Sequence, residues 1–385
     1  VDGVTYGDIE SYGAERWLDE LAEELREKKY TPQAIRRVYI PKGDGRQRPL
    51  GIPTIRDRIV QMSAVLVLVP IFEADLQSEQ HAYRPGRSAQ DAVQAVHRLV
   101  SRGHTEVVDA DLRGYFDSIP HGELMRSVSR RVSDGRVLHL IKLWLTVPVE
   151  EEDDRGRPRR TTRNRDKGRG IPQGAPISPL LSNIYMRRFI LGWKVLGHER
   201  RLDAHIVNYA DDFVICCRGN ALEASRVMRS MMRRLKLTVN EEKTHIACLP
   251  EESFDFLGYT ICRCYSPVTG RSYIGTRPSR SRVHRLVRRV SEMTRPRYEQ
   301  YKPEDLVGKL NRVLRGWANY FCLGPVSGDY RAIDVHTGNR LRKWLSGKHK
   351  SQGRGVRRYS DDYLCKDLGL LSLTSLPRSF SWAKA

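Results

Sequence analysis

The segment Ala204 to Arg218, AHIVNYADDFVICCR, constrains this chain more than any other. Two apolar runs, His205 to Val207 and Phe213 to Cys217, flank Asn208-Tyr209-Ala210-Asp211-Asp212. This reads as two short strands joined by a tight turn with adjacent carboxylates at its tip. Holding two anions together costs electrostatic energy unless a cation sits between them, and hard oxygen ligands on a rigid turn suit Mg²⁺ or Mn²⁺. Taken alone, such a short motif more often marks a solvated turn. The remainder of the chain decides between the two.

Thr105 to Leu112 alternates as a strand, which puts Asp109 and Asp111 on one face about 6.6 Å apart. Two acids facing the same side of an apolar strand are unexpected in a core. Helices are predicted at Ser178 to Ile190 and Ala221 to Leu235, and a single strand at Phe254 to Cys262. The order strand, helix, hairpin, helix, strand predicts an α+β fold with a split βαβ antiparallel sheet layered with helices. Its central strands are neighbours, so Asp111 meets Asp211 and Asp212 across a long stretch of sequence. Transfer of a nucleotidyl group to a 3′-hydroxyl uses two divalent ions held by carboxylates from separate segments, and these three acids form such a set.

Lys and Arg total 67 against 46 Asp and Glu, a net charge of +21, which points to a polyanionic partner, nucleic acid first. The longest apolar stretch, Ile59 to Phe72, is broken by Gln61, Ser63 and Pro70, so it reads as a buried helix rather than a membrane span. No signal peptide is evident, and seven Cys without regular spacing suggest a reducing, cytoplasmic compartment. His245, Cys248, Cys262 and Cys264 lack paired Cys-x-x-Cys spacing, so zinc is not expected.

Ala14 to Lys29 reads as an amphipathic surface helix. Val38 to Pro41 and Arg48 to Pro53 form a hairpin with Lys42 and Arg48 at or near its tip, either reaching a phosphate or simply keeping the tip solvated. Arg84-Pro85-Gly86-Arg87 precedes a helix that Ser88 and Asp91 close as a capping box. Glu150 to Arg169, acids followed by arginines with almost no apolar residue, is expected to be a mobile surface loop. Gly170 to Pro176 is a turn-rich entry to the next helix and carries Gln173. The last third is helical and basic. Arg280, Arg285, Arg288 and Arg289 lie off the apolar stripe of a helix at Ser279 to Thr294, a second helix starts at Pro303, and Arg340 to Arg358 holds eight Lys or Arg and no acid.

The blocks IPKGDGRQRPLGIPTIRDR, HAYRPGRSAQDAV, VVDADLRGYFDSIPH, GIPQGAPISPLLSNIYM, NYADDFVICC, LTVNEEKTHI, FDFLGYTI and LNRVLRGWANYF occur in this order. In them the chain resembles group II intron-encoded reverse transcriptases with their maturase domain. The resemblance implies a right-hand polymerase, with fingers at 1–104, a palm at 105–275 carrying a basic insertion near 150–169, a helical thumb and maturase domain at 276–345, and a basic nucleic-acid-binding tail at 346–385. It implies Mg²⁺, or Mn²⁺, at Asp111, Asp211 and Asp212, and Lys243 near the pyrophosphate as proton donor. Lys42 and Arg48 are expected on the triphosphate, Gln173 and Tyr209 beside the incoming nucleotide, and Phe116 beneath its sugar. Nucleic acid is expected at Arg84, Arg87, Arg280, Arg285, Arg288, Arg289, Arg315, Lys348 and Lys350. The implied partners are an RNA template, a DNA or RNA primer, dNTP and the cognate intron RNA, without a membrane. Asp109 is expected to be structural or a modest tuner of the site. Three departures stand out: Ala175 where a second Gly is common, a start at Val1 where the family usually has further N-terminal sequence, so that a template-binding extension is expected to be missing or lost, and no HNH-like Cys and His set after the thumb, so that no appended endonuclease domain is expected. Two other roles remain open, a splicing cofactor with an idle polymerase site and a domesticated enzyme of repair or phage defence.

Overall fold

The computed structural model describes residues 2–41, 45, 47–152, 157–266, 268–350, 355 and 357–376. Lys42 therefore lies outside the described residues. Two compact units result: one comprises Val1–Ala92 with Val107–Ile246, the other Val93–Glu106 with Ala247–Ala385. Among the described residues eleven strands run in chain order: β1 (Ile35–Pro41), β2 (Gln47–Ile52), β3 (Glu106–Asp111), β4 (Val149–Glu152), β5 (Pro158–Thr161), β6 (Ala204–Tyr209), β7 (Asp212–Cys217), β8 (His245–Cys248), β9 (Phe254–Phe256), β10 (Tyr259–Tyr265) and β11 (Ser272–Pro278). They form three sheets, ordered β2-β1-β4-β5, β6-β7-β3-β8 and β11-β10-β9. Among the described residues no helix is long and apolar enough to cross a membrane.

The sheet β6-β7-β3-β8 carries the acids. Phe213 to Cys217 of β7 are all buried, which explains why this run is continuously apolar instead of alternating. Helix Ser178–Val195 covers it, with Phe189 packed on Phe213 at 5.3 Å between ring centroids and the Trp193 indole donating to the Ala204 carbonyl at 2.9 Å. The fourth strand is β8, not the FDFLGYTIC segment. That segment breaks at Leu257 and Gly258, both left-handed (φ 51° and 83°), into the antiparallel hairpin β9–β10 of a separate sheet. Two consecutive positive φ values suit a tight hairpin turn, and of the two residues only Gly258 signals it in the sequence.

The charged run at 150–169 is not a loop over its described part. β4 lies parallel to β1 and antiparallel to β5, in a register that pairs Glu150 with Arg160 and Glu151 with Arg159. Arg37 on β1 meets Glu151 at 2.7 Å. The acids and arginines that looked like solvated sequence are cross-strand partners, which stabilise a sheet without apolar content. Gly51 of β2 fits between Ile35 and the loop at Pro172–Gln173, where an added Cβ would stand 2.8 Å from Ile35 Cγ2. The left-handed position of that loop falls on Gly174 (φ 107°), so Ala175, buried beside it, carries no strain in place of a second Gly.

Helix Ile55–Glu73 is only half buried, a correction to the expected core helix. Val60, Leu68 and Phe72 face inward, while Met62, Leu66, Val67 and Ile71 are exposed. The capping box at Ser88 and Asp91 is formed, with the serine hydroxyl 2.7 Å from the carboxylate and the Asp91 amide donating back at 3.2 Å.

In the second unit, helices Arg280–Met293, Pro303–Tyr320 and Ser327–Lys348 enclose a core of Leu286, Val290, Leu310, Leu314, Ile333, Leu341 and Trp344. Several cations of the basic run serve this core. Arg340 donates to Thr294 Oγ1, Ser291 O and Thr294 O at 2.9–3.1 Å, closing the end of the first helix. Arg342 is buried, bonds the Tyr359 carbonyl at 2.8 Å and pairs with Asp361. Lys348, expected on nucleic acid, is half buried and donates to the Glu299 carbonyl at 2.8 Å. The density of positive charge there is therefore partly structural. Arg280, Arg285, Arg288, Arg289, Arg315 and Lys350 are exposed.

Candidate active site

Tyr209 and Asp212 face each other across a two-residue turn, Ala210-Asp211. Ala210 is left-handed (φ 58°), a conformation that costs a residue with a Cβ about 1–3 kcal/mol unless its surroundings enforce it. Asn208 does so. Its Nδ2 donates to the Ala210 carbonyl at 2.9 Å and to the Asp212 carbonyl at 3.4 Å. Asn208 is itself held by Glu79 O and His81 N, at 2.9 and 3.0 Å, so a segment more than a hundred residues upstream braces the turn.

Asp111 ends β3 beside this hairpin. Its Oδ2 accepts from Asn240 Nδ2 at 2.8 Å and meets Lys243 Nζ at 3.2 Å, while the Asn240 amide donates to the Asp111 carbonyl at 2.8 Å. The amides of Lys243 and Thr244 both bond Asn240 O, folding Asn240–Thr244 into a turn that clasps the carboxylate. Lys243 thus stands on Asp111 as its counter-ion. Asp109 lies on the same strand, 3.9 Å from His245 Nε2.

Asp212 shows how tightly the charges are gathered. Its carboxyl is pushed up to about 7, first by loss of hydration within the site and then by Asp211, Asp111 and Asp109, with Lys243 pulling the other way. The residue as a whole is still open to solvent, so the repulsion is partly screened. Three hard carboxylates that repel one another are the donor set that a hard divalent cation stabilises. A carboxyl raised in this way lowers stability as pH climbs: the unfolded chain loses its proton near 3.8 and the folded one near 7, so the loss accrues between those values and is constant above. Asp212→Asn removes it. In chelator, melts followed by circular dichroism should show the variant above wild type at pH 8, by roughly 2–4 °C per kcal/mol regained, and level with it near pH 4. Equal melting temperatures at pH 8 would contradict the repulsion.

Tyr83 is the residue that sequence reasoning missed. Gln80, His81, Ala82 and Arg84 around it are buried, yet Tyr83 is 52% exposed and left-handed (φ 58°). Loss of hydration first, then the charges of Asp211, Tyr209 and Asp212, raise its hydroxyl pKa, while Arg48 lowers it. The only hint in the sequence was an aromatic before Arg84-Pro85-Gly86.

The other expected residues divide. Phe116 follows left-handed Gly114 on the short helix Tyr115–Ser118, half buried and edge-on to Tyr115. Its carbonyl accepts from Ile171 N at 2.8 Å, which ties the Gln173 loop to it. Gln173 O accepts from Gly51 N, and the residue lines a small cavity with Arg37, Asp117 and Asn164. Arg84, expected on nucleic acid, is 8% exposed and committed internally, pairing with Glu73 at 2.6 Å and donating to Gln77 O and Gln80 O. Arg87 remains near the surface with one bond, to Ser78 O.

Paired carboxylates on a hairpin tip and a third on the adjoining strand define a nucleotidyl-transfer site of the right-hand polymerase class. The family described as reverse transcriptase (RNA-dependent DNA polymerase) matches residues 40–261, and the group II intron maturase-specific domain matches 283–360. The chain is 34% identical to protein YkfC of Escherichia coli K12 over 298 residues, 68% of this chain and 75% of that protein. It is 26% identical to the group II intron-encoded protein LtrA of Lactococcus lactis over 310 residues, 64% of this chain and 50% of LtrA. Telomerase from Candida albicans, solved with a telomeric RNA fragment, shares the fold at a TM-score of 0.50 and 12% identity, over 94% of this chain and 70% of that one. The chain belongs to the reverse transcriptase family, in its group II intron-encoded form with a maturase-specific domain.

Proposed function

We propose that this chain extends a primer 3′-hydroxyl with dNTPs on an RNA template, and that its C-terminal unit binds group II intron RNA to assist splicing and mobility. The observation that carries the first part is the carboxylate cluster, Asp111, Asp211 and Asp212, with the Asp212 carboxyl raised to about 7. Bound Mg²⁺ supplies activation of the attacking oxygen and neutralisation of the leaving pyrophosphate. Asn240 and Lys243 hold Asp111 in place, and Asn208 holds the hairpin tip. Arg48 offers its guanidinium to the triphosphate, and the family resemblance assigns Lys42 to it as well. Tyr209 and Gln173 are assigned to the nucleotide. A chain that only gripped RNA gains nothing from clustered carboxylates, which repel phosphate, and this favours an active enzyme over an idle site. In this reading residues 1–104 are fingers, 105–275 palm and 276–345 thumb.

Primer extension on an RNA template with dNTPs and Mg²⁺ tests the proposal; no extension above background would refute it. The same assay reads sugar choice. An aromatic floor under the sugar leaves no room for a 2′-hydroxyl, and overpacking of about 1–3 kcal/mol gives roughly tenfold to over a hundredfold discrimination. Phe116→Val should raise kcat/KM for rNTP relative to dNTP by that order. An unchanged ratio in the folded variant would leave Phe116 as a core aromatic.

A further inference from the structure

We propose that the C-terminal unit carries a pocket for one unpaired base of single-stranded RNA, built on Tyr298 and Tyr301. The pocket lies between helices Arg280–Met293 and Pro303–Tyr320 and the turn Pro296–Tyr298, with a volume of about 380 Å³. That falls within the size range of small-ligand sites. The two tyrosine rings are 5.7 Å apart between centroids and nearly parallel, at 8°. Lys309 Nζ stands 3.7 Å from the centroid of Tyr301, and the Arg297 guanidinium 4.8 Å from that of Tyr298.

These features match a nucleotide in two ways. Buried Leu306 with Met293 and Val313 gives an apolar wall for the flat faces of a base. Arg289, Arg297, Lys309 and Arg312 line the same pocket, against one acid, Glu292, which pairs with Arg289 at 3.7 Å. The surplus of cations suits a phosphate next to the base. A cation on an exposed ring is held more weakly than a stacked base, so an arriving base takes the face of Tyr301 and Lys309 moves to the backbone. Bases of a duplex are already stacked on their neighbours, which leaves unpaired ones as the ligand.

The tyrosines are also pre-set. The Tyr301 amide donates to Tyr298 O at 3.1 Å, Lys348 Nζ donates to Glu299 O at 2.8 Å, and Arg340 ties down Thr294 just before the turn. Little ordering is left to be done on binding, which favours affinity.

The test uses the full chain and two single-stranded RNA oligonucleotides, identical except that one carries 2-aminopurine where the other has an abasic site. The base-bearing strand should bind about 5- to 150-fold tighter, with its fluorescence quenched and with the same salt slope for both strands. Tyr301→Ala should erase the difference, Tyr298→Phe and Tyr301→Phe should keep it, and Lys309→Ala should lower the salt slope by about one. Equal affinity of the wild type for both strands would overturn the pocket without any variant having to fold, as would full base dependence in folded Tyr301→Ala. Displacement of the strand by free AMP at similar concentration would assign the pocket to a free nucleotide and overturn the RNA assignment. The inference rests on RNA binding by this unit; absence of any salt-dependent RNA binding would remove that premise, and primer extension by the same preparation reports on the polymerase separately.

Discussion

Primer extension by the Asp211→Ala protein falls by about a thousandfold or more, while its affinity for RNA stays level or rises slightly. The two effects have opposite electrostatic origins. Loss of a ligand that positions a divalent cation forfeits several kcal/mol of transition-state stabilisation, and about 4 kcal/mol is already a factor of roughly a thousand. The same change removes a negative charge from a surface meant to meet phosphate, which cannot weaken Coulomb attraction. Asp212→Ala should behave alike. The variants should also be well folded, because Asp211 leads the charged neighbours that raise the Asp212 carboxyl, so its removal relieves repulsion. Steady-state extension and filter binding on one preparation check both halves. Substantial synthesis by pure Asp211→Ala protein would sink the assignment of the metal site, and a matching loss of RNA affinity would point to misfolding instead.

Arg84→Met lowers stability by about 3 kcal/mol, whereas Arg87→Ala changes it by no more than about 1 kcal/mol. The guanidinium of Arg84 is buried and serves Glu73, Gln77 O and Gln80 O together, so its removal strands a carboxylate and two carbonyls. The Glu73 side chain keeps 34% of its exposure, which puts the cost at the low end for a broken buried pair. A fall in melting temperature of roughly 6–12 °C is expected. Activity should drop with it, since the same segment holds Asn208 through His81. Arg87 makes a single exposed bond to Ser78 O and offers no such anchor. Thermal melts of the two variants decide the matter. An Arg84→Met protein as stable as wild type, but weaker on RNA, would return Arg84 to the nucleic-acid surface.

Much of the active site was legible because its signals are local. Alternation marked β3 and put Asp109 and Asp111 on one face, the apolar flanks marked β6 and β7, and the turn residues put Asp211 and Asp212 at the tip. Helix Arg280–Met293 begins after Ser279 as its stripe predicted, and helix Pro303–Tyr320 starts on its proline. Local signals misled where a residue's partner lay elsewhere. Glu150 to Glu152 and the arginines after them have no apolar period, yet register makes them a paired hairpin. Ile59 to Phe72 is apolar enough for a core, but the sequence does not say that only one side is covered.

By itself the sequence determined which residue types stand at strand ends, turn tips and helix starts, because backbone conformation and side-chain period are decided within a few neighbouring residues. Only the tertiary structure decided which charges work and which merely support. Arg84 and Arg87 are three positions apart and chemically identical, but one is buried on Glu73 and the other reaches only a surface carbonyl. Asn240 and Lys243 become parts of the site because their turn closes on Asp111. Tyr83 becomes one because its segment is pinned beside Asn208. Coulomb energy and desolvation depend on distance and enclosure in space, and at Asp111 those are set by a segment that lies more than a hundred residues away along the chain.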